Sequence, residues 1–178
     1  EDVVKSPAPE ELEAWLWKSQ LWPRMQADAT VIKRRLYGPA FGQEGAGLYI
    51  IWDQYRCLNL VRKWEKKRGY HYTYLGVART DIVWKAPHPP LDLLTAERCW
   101  IPMQQPGESR ACNTAMNLYY GLCGRRAAEI YLSRWQALLD GNYTIWEAIL
   151  RSHGDEDFIY FWLRLSGVPL GWFPGSAG

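Results

Sequence analysis

The sequence lacks several patterns that mark common enzymes and binding modules. It has no glycine-rich phosphate loop, no Gly-x-Ser-x-Gly nucleophile motif and no Cys-x-x-Cys pair. Only three histidines are present, and no cysteine and histidine residues cluster with the spacing of a zinc site. These absences argue against P-loop nucleotide hydrolysis, an α/β-hydrolase active site and a structural zinc module.

Long apolar runs and a strong net charge are also missing. No run reaches the roughly 18 apolar residues that a membrane-spanning helix needs, so no transmembrane segment is predicted. The net charge of +2 is spread along the chain, which predicts no nucleic-acid-binding stripe. The chain starts at Glu1 without a leader pattern and is therefore predicted to be a processed product or a fragment, with its compartment unknown.

The composition is that of a globular domain with many aromatic residues. Its 178 residues suffice for one domain with a sizeable core. Eleven tryptophans and eleven tyrosines predict an aromatic core, and the alternative is an aromatic surface that binds protein partners. The cysteines are Cys57, Cys99, Cys112 and Cys123. They are predicted to be buried thiols, with one disulfide as the alternative.

Apolar periodicity predicts the helices. The longest signal covers residues 48–68, and basic residues fill its last turns before Gly69. Its predicted buried face is formed by Ile51, Tyr55, Leu58, Val61 and Trp64. Further helices are predicted at residues 9–22, 26–37, 113–120, 125–139 and 145–151. Trp135 falls on the apolar face of one of them and is expected to be buried.

Short apolar runs bounded by glycine and proline predict the strands. These runs cover residues 72–78, 82–84, 99–101, 158–165 and 168–173. The first is predicted to be a central strand, because it is apolar without alternation. The alternation of helix and strand predicts an α/β fold with a three-layer-like sheet of mixed strands and flanking helices. This domain is expected at 45–174, after a helix and loop lead-in at 1–44 and before a tail at 175–178.

A charged pair, Arg79 and Asp81, closes the first predicted strand. Ligands in open α/β sheets bind beyond the carboxyl ends of strands, so this is the first place to look for chemistry. The Asp81 carboxylate suits Mg²⁺ or Mn²⁺, and the Arg79 guanidinium suits a phosphate. A structural salt bridge at the strand end is the alternative reading of the same two residues.

Several segments together resemble a known group of proteins. They are Gln54 to Arg56, Tyr70 to Asp81, Pro89 to Leu94, Trp100 to Pro102, Ala128 to Trp135, Glu147 to Leu150 and Trp172 to Pro174. Their order is similar to that of uncharacterised eukaryotic and algal glycosyltransferase-like proteins with a nucleotide-diphospho-sugar transferase fold. The resemblance covers residues 45–174 and also implies early strands, where this sequence predicts helices and a loop.

The resemblance implies a sugar-nucleotide-dependent transferase that acts on a glycan acceptor, located in the secretory pathway (Golgi) if active. Asp81 would hold a divalent cation on the diphosphate, and the metal would neutralise the charge of the leaving group. Where the family has Asn-Asp-Arg, this sequence has Asn117-Leu118-Tyr119, so Asn117 alone would keep a substrate contact. In the alternative alignment Asn113 takes this role, and Thr114 and Ala115 replace the two charged residues. The lost charges predict weak or absent catalysis. The alternative is a non-catalytic structural or interaction subunit of a larger assembly.

Three further positions complete the candidates. His88, between two prolines, could contact the substrate, and a solvated loop histidine is the alternative. Glu147 could be a catalytic base, or it could complete a capping box with Thr144 at a helix start. Asn142-Tyr143-Thr144 is a glycosylation sequon, which matters only if the chain is secreted.

Overall fold

The computed structural model describes residues 7–19, 46–79, 87–103, 120–152 and 155–174. The helices are α1 (Pro9–Trp17), α2 (Ala46–Arg68), α3 (Arg125–Leu132), α4 (Arg134–Leu139), α5 (Tyr143–Arg151) and α6 (Asp155–Leu165). The strands are β1 (Tyr74–Ala78), β2 (Cys99–Met103), β3 (Tyr120–Gly124) and β4 (Leu170–Pro174), with a short 3-10 helix at Leu91–Leu93. The fold is therefore mixed α/β, as predicted.

The strands form one mixed sheet in the order β1-β3-β2-β4. β3 is antiparallel to both β1 and β2, whereas β4 is parallel to β2. Consequently β1, β2 and β4 all run in the same direction. Their carboxyl ends meet the amino end of β3 along one side of the sheet, which is called the carboxyl-end edge below. The opposite side is the amino-end edge.

One face of the sheet packs against the helices. Leu75, Cys123 and Cys99 lie in one row across β1, β3 and β2, and all three belong to the hydrophobic core. Helix α3 packs on β1 and β3 and also contacts α2 and α6. Trp135 is only 3% exposed, which confirms its predicted burial. Helix α1 adds Leu12 and Leu16 to the same core.

The other face of the sheet is partly covered by the segment before β2. The Tyr74 hydroxyl donates to the carbonyl oxygen of Leu94, and the indole N–H of Trp100 donates to that of Thr95 at 2.9 Å. Trp100 pairs with Gly171 of β4, and its ring packs over that glycine. A side chain at position 171 would occupy the space of the ring, so this contact requires glycine.

Four of the predictions about secondary structure are wrong. Among the described strands β1 lies at the edge of the sheet, not at its centre, and its burial alternates. Residues 120–124, predicted as the end of a helix and its break, form the inner strand β3. Residues 158–165 belong to helix α6 instead of a strand, because Phe158, Ile159, Trp162 and Leu163 are buried with helical spacing. Helix α1 ends at Trp17, earlier than predicted.

Other predictions are confirmed or refined. Helix α2 matches the predicted 48–68 segment, and Gly69 follows it with φ 73°. Trp64, expected on the buried face of α2, is instead 48% exposed. Cys99 and Cys123 form a disulfide between β2 and β3, so the buried-thiol prediction is wrong for both. Cys57 is an exposed free thiol, which also contradicts that prediction. The predicted elements at 26–37 and 82–84, and Cys112, lie outside the described residues.

Candidate functional site

Arg79 and Tyr120 are neighbours along the backbone at the carboxyl-end edge. Ala78, the last residue of β1, pairs with Tyr120, the first residue of β3, and Arg79 follows directly. Antiparallel pairing places directly opposed residues about 5 Å apart, so the start of β3 lies beside the exposed Arg79. β2 and β4 end at the same edge, where Met103 pairs with Pro174.

His88 joins the same cluster through Tyr120. The two rings meet edge to face, with centroids 5.4 Å apart and an interplanar angle of 78°. His88 is half-buried, and its Nδ1 donates to the carbonyl oxygen of Pro89 at 2.5 Å. The proline-rich turn therefore places an imidazole against the phenol that begins β3. The solvated-loop interpretation of His88 does not describe this arrangement.

The chemistry of this cluster favours an anion. Arg79 carries a permanent positive charge, and burial raises the pKa of the half-buried Tyr120 phenol. A phenol with a raised pKa stays protonated at neutral pH and remains a hydrogen-bond donor. A guanidinium donor suits the oxygens of a phosphate or diphosphate. The Tyr120 hydroxyl, in contrast, reaches back over Gly76 in the middle of β1. A divalent cation would need oxygen ligands, which this described set does not offer apart from Tyr120.

Two of the sequence-predicted site residues, Asp81 and Asn117, lie outside the described residues. Along the chain, Asp81 is two residues after Arg79, and Asn117 is three residues before Tyr120. The described residues nearest to them along the chain, Arg79 and Tyr120, therefore both belong to the carboxyl-end edge. Within the described ranges, no three histidine, cysteine, aspartate or glutamate residues are grouped as a metal site. The metal prediction therefore depends on Asp81.

Glu147 lies apart from this cluster, on α5, which packs against α4 and α6. Its carboxylate accepts two hydrogen bonds from Arg151 one turn later, at 2.9 and 2.7 Å. The capping-box interpretation is wrong, because α5 begins at Tyr143 and its N-cap is Asn142. The Asn142 side chain accepts from the Thr144 backbone N–H at 2.8 Å.

A charged cluster at the amino-end edge was not predicted. Arg125, the first residue of α3, donates to both carboxylate oxygens of Glu65, which is 2% exposed. The backbone N–H of Tyr72 donates to the same carboxylate at 3.0 Å, and His71 Nδ1 lies 3.2 Å from it. The Arg125 hydrogen bonds lower the pKa of Glu65 to about 2, against the opposing effect of burial. The only sequence signal for this cluster was an acid inside a run of basic residues.

An exposed aromatic and basic surface covers the end of α2 and the following loop. This Trp64 patch consists of Leu60, Trp64, Lys67, Arg68, Tyr70 and Tyr72. Lys67 Nζ and the Arg68 guanidinium lie 5.1 and 5.2 Å from the centroid of the Trp64 ring. The Tyr70 and Tyr72 rings meet edge to face at 5.5 Å. Glu65 does not neutralise the patch, because it is buried against Arg125.

A cavity of about 320 Å³ opens near the amino-end edge, between α3 and the residues that precede β2 and β4. Glu97, Arg126 and Ser166 contribute its polar groups. A neighbouring cavity of about 270 Å³ shares Ile130 and Ser166 with it. These cavities do not include Arg79, His88 or Tyr120, so they are separate from the cluster at the carboxyl-end edge.

Comparison of the chain with protein-family models, with curated proteins and with solved structures gave no match. The helices of the described segments are all too short or too polar to cross a membrane.

Proposed function

We propose that this chain is a glycosyltransferase-like domain that binds a sugar nucleotide at the carboxyl-end edge of its sheet. The observation that carries the proposal is that β1, β2 and β4 end along one edge, where Arg79 directly follows β1 and Tyr120, which contacts His88, begins β3. Strand ends of this kind are the usual ligand sites of open α/β sheets. The order of sequence segments that resembles the nucleotide-diphospho-sugar transferase fold supports the same proposal.

In the proposed complex the diphosphate is held by the described donors. Arg79 pairs with its oxygens, and the backbone N–H groups at the start of β3, beside Tyr120, are the nearest described donors. His88 holds the Tyr120 ring in place by its edge-to-face contact. Asn117 contacts the substrate, and a glycan is the acceptor. Asp81 holds Mn²⁺ or Mg²⁺, which when bound stabilises the negative charge of the leaving diphosphate.

Glu147 has no part in the proposed binding site. Its carboxylate is paired with Arg151 on α5, and α5 packs against helices. The charges of the family's Asn-Asp-Arg tripeptide are missing here, so we propose binding with weak or no transfer.

Calorimetric titration tests the proposal. Uridine- and guanosine-diphosphate sugars are titrated with Mn²⁺ into wild type, Arg79→Ala and the control Arg164→Ala, which removes another exposed arginine, on α6. Wild type and Arg164→Ala are expected to bind alike. Arg79→Ala should bind about tenfold or more weakly, since a hydrogen bond to a charged group contributes roughly 1.5–3 kcal/mol. Equal binding by all three proteins would contradict the role of Arg79, and no binding by wild type would contradict the proposal.

One observation favours a second candidate, a non-catalytic interaction domain. The Trp64 patch exposes 48% of Trp64, 56% of Leu60 and 44% of Tyr70 beside several cations. Aromatic and basic residues of this kind are enriched at protein interfaces, and the charge suits an acidic protein surface. A salt-sensitive interaction with polyglutamate, weakened by Trp64→Ala and Lys67→Ala but not by Lys18→Ala, would support this candidate. The interaction domain would replace the glycosyltransferase-like domain as the proposed function if no sugar nucleotide binds.

A further inference from the structure

We propose that Asn142 is an N-glycosylation site and that it carries its glycan on the folded domain. Asn142, Tyr143 and Thr144 form the Asn-x-Thr sequence that the glycosylating enzymes of the secretory pathway recognise. The sequon lies at the turn between α4 and α5, and both Asn142 and Tyr143 are exposed. The site is separate from the proposed sugar-nucleotide site and does not depend on it.

The backbone around Asn142 is well defined by hydrogen bonds. Gly141 has φ 66° and donates to the carbonyl oxygen of Leu138 at 3.2 Å. The Asn142 backbone N–H donates to the carbonyl oxygen of Ala137 at 3.0 Å. These bonds end α4 and direct the chain into α5, so the acceptor residue stands at an ordered surface turn.

The Asn142 side chain can be modified without losing its structural role. Its Oδ1 accepts from the Thr144 backbone N–H and caps α5. Glycosylation uses the other atom of the amide, Nδ2. The linkage leaves the Oδ1 carbonyl in place, so the glycosylated residue keeps the same N-cap. The exposure of Asn142 lets the glycan extend into solvent.

The modification is a group transfer from a polyprenyl-diphosphate-linked oligosaccharide. Nδ2 forms a bond to C1 of the reducing-end sugar. The bond between C1 and the diphosphate oxygen breaks, and the polyprenyl diphosphate leaves with the electron pair. Nδ2 loses one proton to a base of the transferring enzyme and keeps one N–H. No oxidation or reduction takes part.

The disulfide independently supports the inference that the chain enters the oxidising compartment in which N-glycosylation takes place. Cys99 and Cys123 are directly opposed on β2 and β3, both are fully buried, and they are joined by a disulfide. Disulfides form and persist in oxidising compartments and are rare where glutathione keeps thiols reduced. In eukaryotes the same compartment carries out the transfer to Asn-x-Thr sequences.

The competing explanation is that Asn142 serves only as the N-cap of α5. Substitutions at position 144 distinguish this explanation from glycosylation. The cap uses the side chain of Asn142 and only the backbone N–H of Thr144. The sequon, in contrast, requires the hydroxyl of Thr144. Asn142→Asp keeps a good N-cap but removes the acceptor nitrogen. Thr144→Val keeps the backbone donor and the side-chain shape but removes the hydroxyl.

The test is cell-free translation with microsomes, using the full chain behind a secretory signal peptide. Protease protection selects translocated molecules, and a peptide amidase then removes N-glycans and converts the acceptor asparagine to aspartate. Wild type and Thr144→Ser should show one amidase-sensitive glycan. The peptide 135–151, released by trypsin, should contain aspartate at position 142 after the amidase. Asn142→Asp and Thr144→Val should carry no glycan.

Two results would overturn the proposal. One is wild-type protein that is protected from the protease, and is therefore translocated, but carries no glycan. The other is a glycan that persists in Asn142→Asp. Thermal unfolding of purified Asn142→Asp provides a second measurement. A midpoint close to that of the unglycosylated wild type would show that the substitution removes the acceptor and leaves the fold intact.

Discussion

Arg125 Nε and Nη2 donate to the two carboxylate oxygens of Glu65 at 2.9 and 2.8 Å, although the residues are 60 positions apart in the chain. The pair joins the end of α2 to the junction of β3 and α3. The backbone N–H of Tyr72 adds a third bond to Glu65, just before β1. The amino-end edge of the sheet is therefore fixed by one buried carboxylate.

Removal of the Glu65 charge should destabilise the protein strongly. Glu65→Gln is expected to lower the free energy of unfolding by about 2 kcal/mol, because it removes the buried carboxylate that accepts two hydrogen bonds from Arg125 and leaves Glu129 as the remaining charge partner of Arg125. Glu147→Gln is the matched control. It breaks a more exposed pair with Arg151 one turn away, and should cost less than about 0.5 kcal/mol. Urea unfolding measures both, and equal losses would contradict the account of Glu65.

The stability of the protein should also depend on pH through Glu65. Its pKa in the folded state is about 2, below the ordinary value of 4.5. A carboxylate with a lowered folded pKa contributes stability that is fully present above its unfolded pKa. This contribution is lost as the pH falls from 4.5 towards 2. Urea unfolding between these pH values should therefore show a steeper loss for wild type than for Glu65→Gln. Parallel curves would exclude Glu65 as the cause.

The contact between Trp100 and Gly171 should make glycine necessary at position 171. A Cβ there would lie 2.4 Å from the Trp100 ring, so Gly171→Ala is expected to cost about 1–3 kcal/mol. Gly76→Ala on β1 is the control, because its nearest neighbours would be 3.8 Å away. Thermal unfolding should show a large decrease for Gly171→Ala and little change for Gly76→Ala. The opposite order would contradict the packing of Trp100.

The disulfide should link Cys99 to Cys123 and no other pair. The bond closes a loop with a sequence separation of 24 residues, so its loss should cost about 3 kcal/mol. Non-reducing peptide mapping of Cys112→Ser should still find the cross-link, whereas Cys123→Ser should lose it. A cross-link that survives in Cys123→Ser would identify a different cysteine pair.

The sequence predicted α2 and the mixed α/β class because the evidence for both is local. The spacing of Ile51 and Leu58 and the glycine at 69 mark a helix and its end without reference to other segments. The strand prediction for residues 158–165 was wrong because a run of eight largely apolar residues fits a strand and a buried helix equally well. In β3, Gly121 and Gly124 were interpreted as helix breaks, but in the structure they belong to an inner strand.

The candidate site was only partly predictable, since its members meet through pairing between distant strands. Arg79 and His88 were named from local sequence, but Tyr120 joins them only because β1 pairs with β3. Likewise, nothing local distinguishes Glu65 from the exposed charges around it. Its partner Arg125 enters α3 after three intervening strands and loops. Sequence patterns identify charged residues but not their long-range partners.

The most direct test of the central claim is to map the binding of a sugar nucleotide on the folded chain. Backbone amide chemical shifts are recorded by NMR while a uridine-diphosphate sugar and Mg²⁺ are added, because Mg²⁺ is diamagnetic and leaves the amide signals near its site visible. The account predicts that the largest shifts occur at the carboxyl-end edge, around Arg79, His88 and Tyr120, with little change at Tyr72 and Arg125. Shifts confined to the amino-end edge, or no saturable shifts at all, would contradict the assignment of the carboxyl-end edge as the sugar-nucleotide site.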